Sequence, residues 1–248
     1  MIFDIGMYDG AYTAYYIECG YRVIAVEANP KLVDDAKRRF VTHIASGQLT
    51  CVNAAISTNG EDVNLTLSGH DLGSSSLYGD WIANKQPIGA ITVPGVTLHQ
   101  LFERYGVPEY MKVDIEGADR LCVLALTFDT RPAFLSFEVG ADVDELLSYA
   151  AKIGFQRFKI INQDSFRELA NQRCLYDRVV YRLMRYMGYC EPLKIRRAGR
   201  FFVAGHSSGP VPWQSDGAWR SVDATRSRLH EARALNSLSG WYDIHATI

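Results

Sequence analysis

Short apolar runs alternate with segments of helical spacing along the first 162 residues. The runs IFDI, YRVIAVEA and LTCVNAAIS are typical of buried strands, and YMKVDIEG, AFLSFEVG and FQRFKIIN continue the series. Between them, residues 11–19, the stretch that begins at Pro30 and residues 142–154 have the periodicity of helices. This alternation predicts an α/β fold, with a mostly parallel sheet covered by helices on both faces.

The pattern is interrupted in three places. Residues 61–95 are rich in glycine and serine and predict a small hairpin or an irregular excursion. Residues 165–198 are rich in Arg and Tyr and precede RFFVAG, which we predict as the last strand of the sheet. We therefore expect one domain over residues 1–206 and a C-terminal appendage, residues 207–248, packed on it.

Composition narrows the class of protein. The chain has 48% hydrophobic and 22% charged residues, as ordinary globular proteins do. No apolar run could span a bilayer, and Asp4 and Asp9 interrupt the only N-terminal apolar stretch, so we expect neither a transmembrane segment nor a signal peptide. The five cysteines lack CxxC or Cys/His spacing, which favours reduced thiols in a cytoplasmic protein and predicts no metal site.

Charge is segregated along the chain. Residues 1–151 contain 20 acidic and 10 basic residues, whereas residues 152–200 contain 12 basic and 4 acidic ones. The basic segment could form a lid over a phosphate-bearing substrate, a membrane-surface helix or an RNA-binding element. A helix that packs against the acidic part of its own chain or of a partner chain explains the basic segment more simply. A homodimer is therefore possible, and no contact with DNA is expected.

A glycine turn follows the first strand in DIGMYDG. Gly6 and Gly10 permit a tight turn and a close backbone approach to a ligand, and Asp4 precedes them at the strand end. Glu27 ends the second strand, near the ~20-residue spacing of the acid that binds ribose in nucleotide folds. Together these residues predict a nucleoside site, although each alone is also typical of an ordinary βα turn.

NAD(H) and S-adenosylmethionine compete for this site. A dinucleotide needs GxGxxG so that the backbone can meet a pyrophosphate, and that pattern is missing here. S-adenosylmethionine carries a sulfonium cation instead, which suits the acidic residues 1–151. Asp4 is then expected to face the amino-acid end of the cofactor, and Asn53, at the end of the third strand, the adenine.

Two acids follow the fourth strand in KVDIEGAD. Asp114 and Glu116 lie two residues apart at a carboxyl strand end, where open α/β sheets bind ligands. Paired carboxylates can hold a proton, bind a metal or orient a hydroxyl. Glu116 alone is more simply explained as a helix cap, whereas the pair in this position favours a functional site. If the first strand is central, the fourth lies beside it, and Asp114 is expected to bind close to the reactive end of the cofactor.

The motifs DIGMYDG, VIAVEANP, GSSSL, GVTLHQL, YMKVDIEGADRL and FLSFEV resemble the FkbM-type S-adenosylmethionine-dependent methyltransferases. The resemblance runs from about Phe3 to Asn162. It implies a class I methyltransferase (Rossmann-like) fold of seven strands with the last antiparallel, into which RFFVAG fits as the seventh. It also implies methyl transfer to an oxygen, on a sugar, glycan or natural-product acceptor. His99 stands where the family pattern has Asp.

Methyl transfer needs a base that removes the proton of the acceptor hydroxyl. The candidates are Asp114, Glu116, Glu138 and His70, the last in the 61–95 excursion. A divalent metal held by the three acids ranks below simple acid–base use, because no compact ligand motif is present. An NAD-dependent oxidoreductase and a non-catalytic relative that binds the cofactor are the rival interpretations.

Overall fold

The computed structural model describes residues 1–69, 75–78, 87–169, 194–205, 209–235 and 240–248. Along these residues the chain divides into two compact units, Met1–Gly140 and Ala141–Ile248. None of the helices described in them is long and apolar enough to cross a membrane.

The first unit alternates strands with helices. Its strands are β1 (Ile2–Ile5), β2 (Val23–Glu27), β3 (Leu49–Asn53), β4 (Ala55–Ile56), β5 (Val63–Ser68), β6 (Pro87–Val93), β7 (Gly95–Val96), β8 (Tyr110–Val113) and β9 (Phe134–Glu138). Its helices are α1 (Ala11–Glu18), α2 (Pro30–Arg39), α3 (Val41–Ala45), α4 (Leu98–Tyr105) and α5 (Arg120–Val123).

Local capping signals set the starts of two helices. The Asn29 side chain accepts a hydrogen bond from the N–H of Lys31, and Pro30 occupies the first helical position of α2, as predicted. At α4 the side chain of Thr97 accepts from the N–H of Gln100, whose own side chain accepts from the N–H of Thr97. Side-chain acceptors thus satisfy backbone donors that each first helical turn leaves unpaired.

Helices cover both faces of the strands in the first unit, as predicted. Phe3 of β1 contacts Phe102 of α4, with ring centroids 5.8 Å apart. Tyr110 of β8 projects from the opposite face, because its register partner on β1 is the residue before Phe3. There it meets Tyr16 of α1, edge to face at 6.0 Å. The strands between these helices are buried on both sides.

The excursion 61–95 contains the predicted hairpin. β5 pairs antiparallel with β6, from Val63 opposite Val93 onward. Leu65 of β5 packs with Ala55 and Val93 in a small buried cluster. Ser76 forms an antiparallel bridge with Thr66 of β5. We call β5, β6 and residues 75–78 together the hairpin arm.

The second unit contains α6 (Val143–Lys152), β10 (Arg157–Asn162), β11 (Lys194–Arg197), β12 (Arg200–Val203), α7 (Val222–Ala234) and β13 (Tyr242–Thr247). β10 pairs antiparallel with β13 along its whole length. Residues 170–193, most of the Arg- and Tyr-rich segment, lie outside the described part of the chain.

Seven strands form one mostly parallel sheet in the order β3-β2-β1-β8-β9-β13-β10, with β13 antiparallel to β10. This topology confirms the predicted fold class. The assignment of the last strand to RFFVAG is wrong, however, because β12 pairs with β11 in a separate two-stranded sheet. The antiparallel strand is β13, so part of the segment predicted as an appendage belongs to the sheet.

Burial of polar groups explains this error. Phe201 makes RFFVAG look like a core strand, but this residue is 69% exposed. β13 carries the polar residues Asp243 and His245, and both are buried. Asp243 accepts a hydrogen bond from the side chain of Gln163 inside the unit, and a buried polar group can be tolerated when it is paired in this way.

Candidate functional site

The carboxyl ends of the parallel strands in the first unit place five predicted site residues in one row. Glu27 of β2 is in register with Asn53 of β3. The pairing of β1 with its two neighbours, continued past the strand ends, puts Gly6 between Glu27 and Asp114. The pairing of β8 with β9 puts Glu138 beyond Asp114 in the same way. Since side chains alternate along a strand, residues of one row project from the same face.

Gly6 is required by the path of the neighbouring backbone. Its φ is 84°, in the left-handed region that favours glycine. A Cβ at this position would lie 1.8 Å from the carbonyl oxygen of Asp114. Gly10 also has a left-handed φ, of 73°, and caps α1 against the ring of Phe40. Gly6 therefore lets the turn and the end of β8 approach closely, and Gly10 lets the start of α1 lie against Phe40.

Glu27 is held by the turns on either side of it. Its Oε2 accepts from the N–H of Tyr8 at 2.9 Å, and its Oε1 accepts from the N–H of Asn29 at 2.8 Å. Burial raises the pKa of this carboxyl, and the two N–H groups oppose that effect. The side chain of Asn53 donates to the carbonyl oxygens of Glu27 and Ala28, which steadies the same strand end.

A cleft opens at this row and has about 520 Å³ of space between its atoms, its opening to solvent included. It is lined by Ile5, Gly6, Val26, Glu27, Ala28, Ala54, Ala55, Ile56, Leu65, Ser75, Ser76, Leu77, Asp114, Ile115, Glu116 and Ala118. Four predicted site residues are among them: Gly6, Glu27, Asp114 and Glu116.

Asp4 lies beneath the cleft, away from its lining. It is fully buried, and its Oδ2 accepts from the hydroxyl of Thr13 at 2.6 Å. Its Oδ1 is 3.7 Å from the Nζ of Lys112, which also lies 3.2 Å from Oδ2 of Asp114. Burial raises the pKa of Asp4, while the Lys112 ammonium and the Thr13 hydroxyl lower it.

The hairpin arm is tied to the loop after β8. The Ser76 hydroxyl donates to the carbonyl oxygen of Glu116 at 2.7 Å. Glu116 has a φ of 51°, a left-handed conformation that is uncommon for a residue other than glycine. Strained backbone of this kind is often found at functional sites.

The two histidines singled out from the sequence do not enter the described site. His70 lies outside the described residues. His99 is an exposed residue of α4, and its Nε2 lies 3.3 Å from Oε1 of Glu103.

Two residues of the site were missed by sequence reasoning, although both belong to KVDIEGAD. The first, Lys112, is a residue of β8. Asp119 accepts from the N–H of Ile115 through Oδ1 and from the N–H of Glu138 through Oδ2. It thereby joins the ends of β8 and β9, and its signal was a third acid five residues after Asp114. Within the described residues, no group of three His, Cys, Asp or Glu side chains could hold a metal ion.

No curated protein matches the sequence. A crystal structure of a methyltransferase FkbM from Methylobacillus flagellatus KT resembles 63% of this chain at 15% identity and a TM-score of 0.43, and the match covers only 38% of that protein. The model of the methyltransferase FkbM domain matches residues 4–157, which contain the whole cleft. Because this match spans more than half of the sequence, the chain belongs to the FkbM methyltransferase domain family.

Proposed function

We propose that this chain is an S-adenosylmethionine-dependent O-methyltransferase acting on a hydroxyl of a sugar, glycan or natural-product acceptor. Its membership of the FkbM methyltransferase family supports the reaction class. The observation that carries the proposal is the Glu27 carboxylate, held by two backbone N–H groups in the cleft beside Gly6.

The cleft residues fit an adenosine group. Each oxygen of Glu27 accepts one backbone N–H and keeps a further lone pair, so the carboxylate can accept from both ribose hydroxyls. Apolar side chains such as Ile56 and Leu65 offer a surface for the adenine ring. When bound, the cofactor supplies an electrophilic methyl group on a sulfonium.

The start of α1 disfavours the pyrophosphate of a dinucleotide. The N–H of Ala11, one of the donors that a helix start would offer a phosphate, already donates to Oδ1 of Asp9 at 2.9 Å. The Asp9 carboxylate also places negative charge where a pyrophosphate would have to bind. This arrangement supports S-adenosylmethionine over NAD.

Acid residues of the cleft and of the row are suited to orient the acceptor and to take its proton. The acceptor oxygen must come within ~3 Å of the methyl carbon, in line with the departing sulfur, and must lose its proton. We assign Glu116 as the base that removes this proton, because it lines the cleft and the Ser76 hydroxyl holds its backbone in place. Glu138, one strand further along the row, is the second choice.

Isothermal titration calorimetry with S-adenosylmethionine, S-adenosylhomocysteine and NAD tests the proposal. We expect both sulfur nucleosides to bind and NAD not to. E27A should weaken that binding by about 100-fold, because hydrogen bonds to a charged group are lost, with circular dichroism unchanged. E109A is the matched control, since Glu109 is exposed and precedes the other end of β8.

Each other result has a defined meaning. Failure to bind either sulfur nucleoside would refute the proposal, and binding of NAD alone would favour an oxidoreductase. Binding without methyl transfer to pooled glycans, nucleotide sugars and hydroxylated metabolites would favour a non-catalytic relative. A labelled product from one pool would identify the acceptor class.

A further inference from the structure

Lys112 carries a buried ammonium group where β1, the glycine turn and β8 meet. Its Nζ lies 3.2 Å from Oδ2 of Asp114, 3.4 Å from the carbonyl oxygen of Gly6 and 3.7 Å from Oδ1 of Asp4. These three oxygens belong to the end of β8, the turn and β1. A single side chain therefore connects the parts of the backbone that build the cleft.

The sheet register places this side chain beneath α1. Lys112 pairs with Asp4 of β1, so both project from the same face, which Thr13 of α1 also reaches. Only 4% of Lys112 is exposed, and its Nζ lies 5.8 Å from the centre of the Tyr12 ring. Burying an ammonium group is costly unless it is paired, so the surrounding oxygens are what make this position tolerable.

The two carboxylates beside Lys112 differ in what they can offer a ligand. Asp4 is fully buried and uses Oδ2 to accept from Thr13. The Asp114 side chain is 22% exposed and lines the cleft. Among the described residues it meets Lys112 through Oδ2, which leaves Oδ1 for a ligand. Of these two carboxylates, Asp114 is therefore the one that can reach a ligand in the cleft.

Resting on the proposed function, we infer that Lys112 is a positioning residue that orients Asp114 so that Oδ1 receives the ammonium group at the amino-acid end of the cofactor. The row order supports this assignment. β2 and β8 lie on either side of β1, so Glu27 and Asp114 are two strand spacings apart, about 10 Å. A nucleoside held through its ribose at Glu27 can extend its amino-acid end across Gly6 to Asp114.

Calorimetry on K112M with three probes tests this inference. S-adenosylmethionine and S-adenosylhomocysteine both carry the amino-acid end, whereas 5′-methylthioadenosine keeps the nucleoside and lacks it. We expect K112M to bind the first two about 10- to 100-fold more weakly and to bind 5′-methylthioadenosine within about twofold of the unaltered protein. K152M, which removes an exposed lysine, should leave all three affinities unchanged.

A second variant separates positioning from stability. Without Lys112, Asp4 remains a fully buried acid with no ammonium beside it, so K112M alone can destabilise the protein. D4N/K112M removes that charge, and the amide oxygen introduced by D4N can still accept from Thr13. We expect the double variant to regain a melting temperature near that of the unaltered protein and still to bind S-adenosylmethionine weakly.

The outcomes are distinct. Recovery of S-adenosylmethionine affinity in D4N/K112M would show that Lys112 only balances the charge of Asp4 and would overturn the inference. Equal weakening of all three probes, or no weakening of any, would also overturn it while leaving the proposed function intact. If the unaltered protein binds none of the probes, the proposed function fails and the inference fails with it.

Discussion

Replacing Gly6 by alanine tests whether the turn after β1 is built around the backbone of β8. Gly6 has a φ of 84°, and a residue with a Cβ in this left-handed conformation destabilises the folded state by about 1–2 kcal/mol. The new Cβ would also lie 1.8 Å from the carbonyl oxygen of Asp114, where real Cβ atoms keep at least 3.0 Å. The backbone must therefore move by about 1.2 Å, and overpacking of this kind adds about 1–3 kcal/mol.

We expect G6A to lower the free energy of unfolding by about 2–5 kcal/mol, measured by urea denaturation with circular dichroism. G47A is the matched control, because Gly47 has a φ of 76° and a Cβ there would meet no atom within 4 Å. G47A should lower the free energy of unfolding only by the cost of the left-handed conformation, about 1–2 kcal/mol. Equal losses in the two variants, at equal urea m-values, would refute the argument that the Asp114 carbonyl makes Gly6 necessary.

Two further predictions concern buried polar groups. D119A should lower the free energy of unfolding by about 3 kcal/mol, because two backbone N–H groups lose a charged acceptor. D119N should recover part of that loss, and a change below about 0.5 kcal/mol in D119A would contradict the expectation. Burial and the nearby Lys159 hold the pKa of His245 well below 6.5, so below pH 6.5 the unfolded chain binds a proton that the folded one does not. The free energy of unfolding should therefore fall as the pH is lowered, with a slope that approaches about 1.4 kcal/mol per pH unit below pH 6.5. H245Q should flatten this slope in thermal melts between pH 6.5 and 5.5, and an unchanged slope would rule the explanation out.

The local parts of the fold were predictable because their signals lie within a few residues. Pro30 at a helix start and the apolar run of β2 act through backbone geometry and burial alone. The position of Glu27 and Asp114 at carboxyl strand ends followed from the same alternation, since parallel strands bring those ends to one edge of the sheet.

The partners of each site residue were harder to predict. Asp4 was expected to face the cofactor, but the register between β1 and β8 sets it beside Lys112, and α1 buries it under Thr13. Neither contact follows from spacing along the chain, because both join residues brought together by strand pairing and helix packing. The direct role of Asp4 toward a ligand thus stays a prediction, while its buried contacts are established.

By itself, the sequence determined the α/β class, the succession of most strands along the chain and the acids that follow them. These follow from hydrophobic periodicity, which depends only on near neighbours along the chain. Tertiary structure alone decided that β13 rather than RFFVAG completes the sheet. It also decided that the Lys112 ammonium lies beneath the cleft beside Asp114. The physical reason is the same in both cases: a polar side chain can be buried when distant residues supply its partners, and no local pattern records which residues those are.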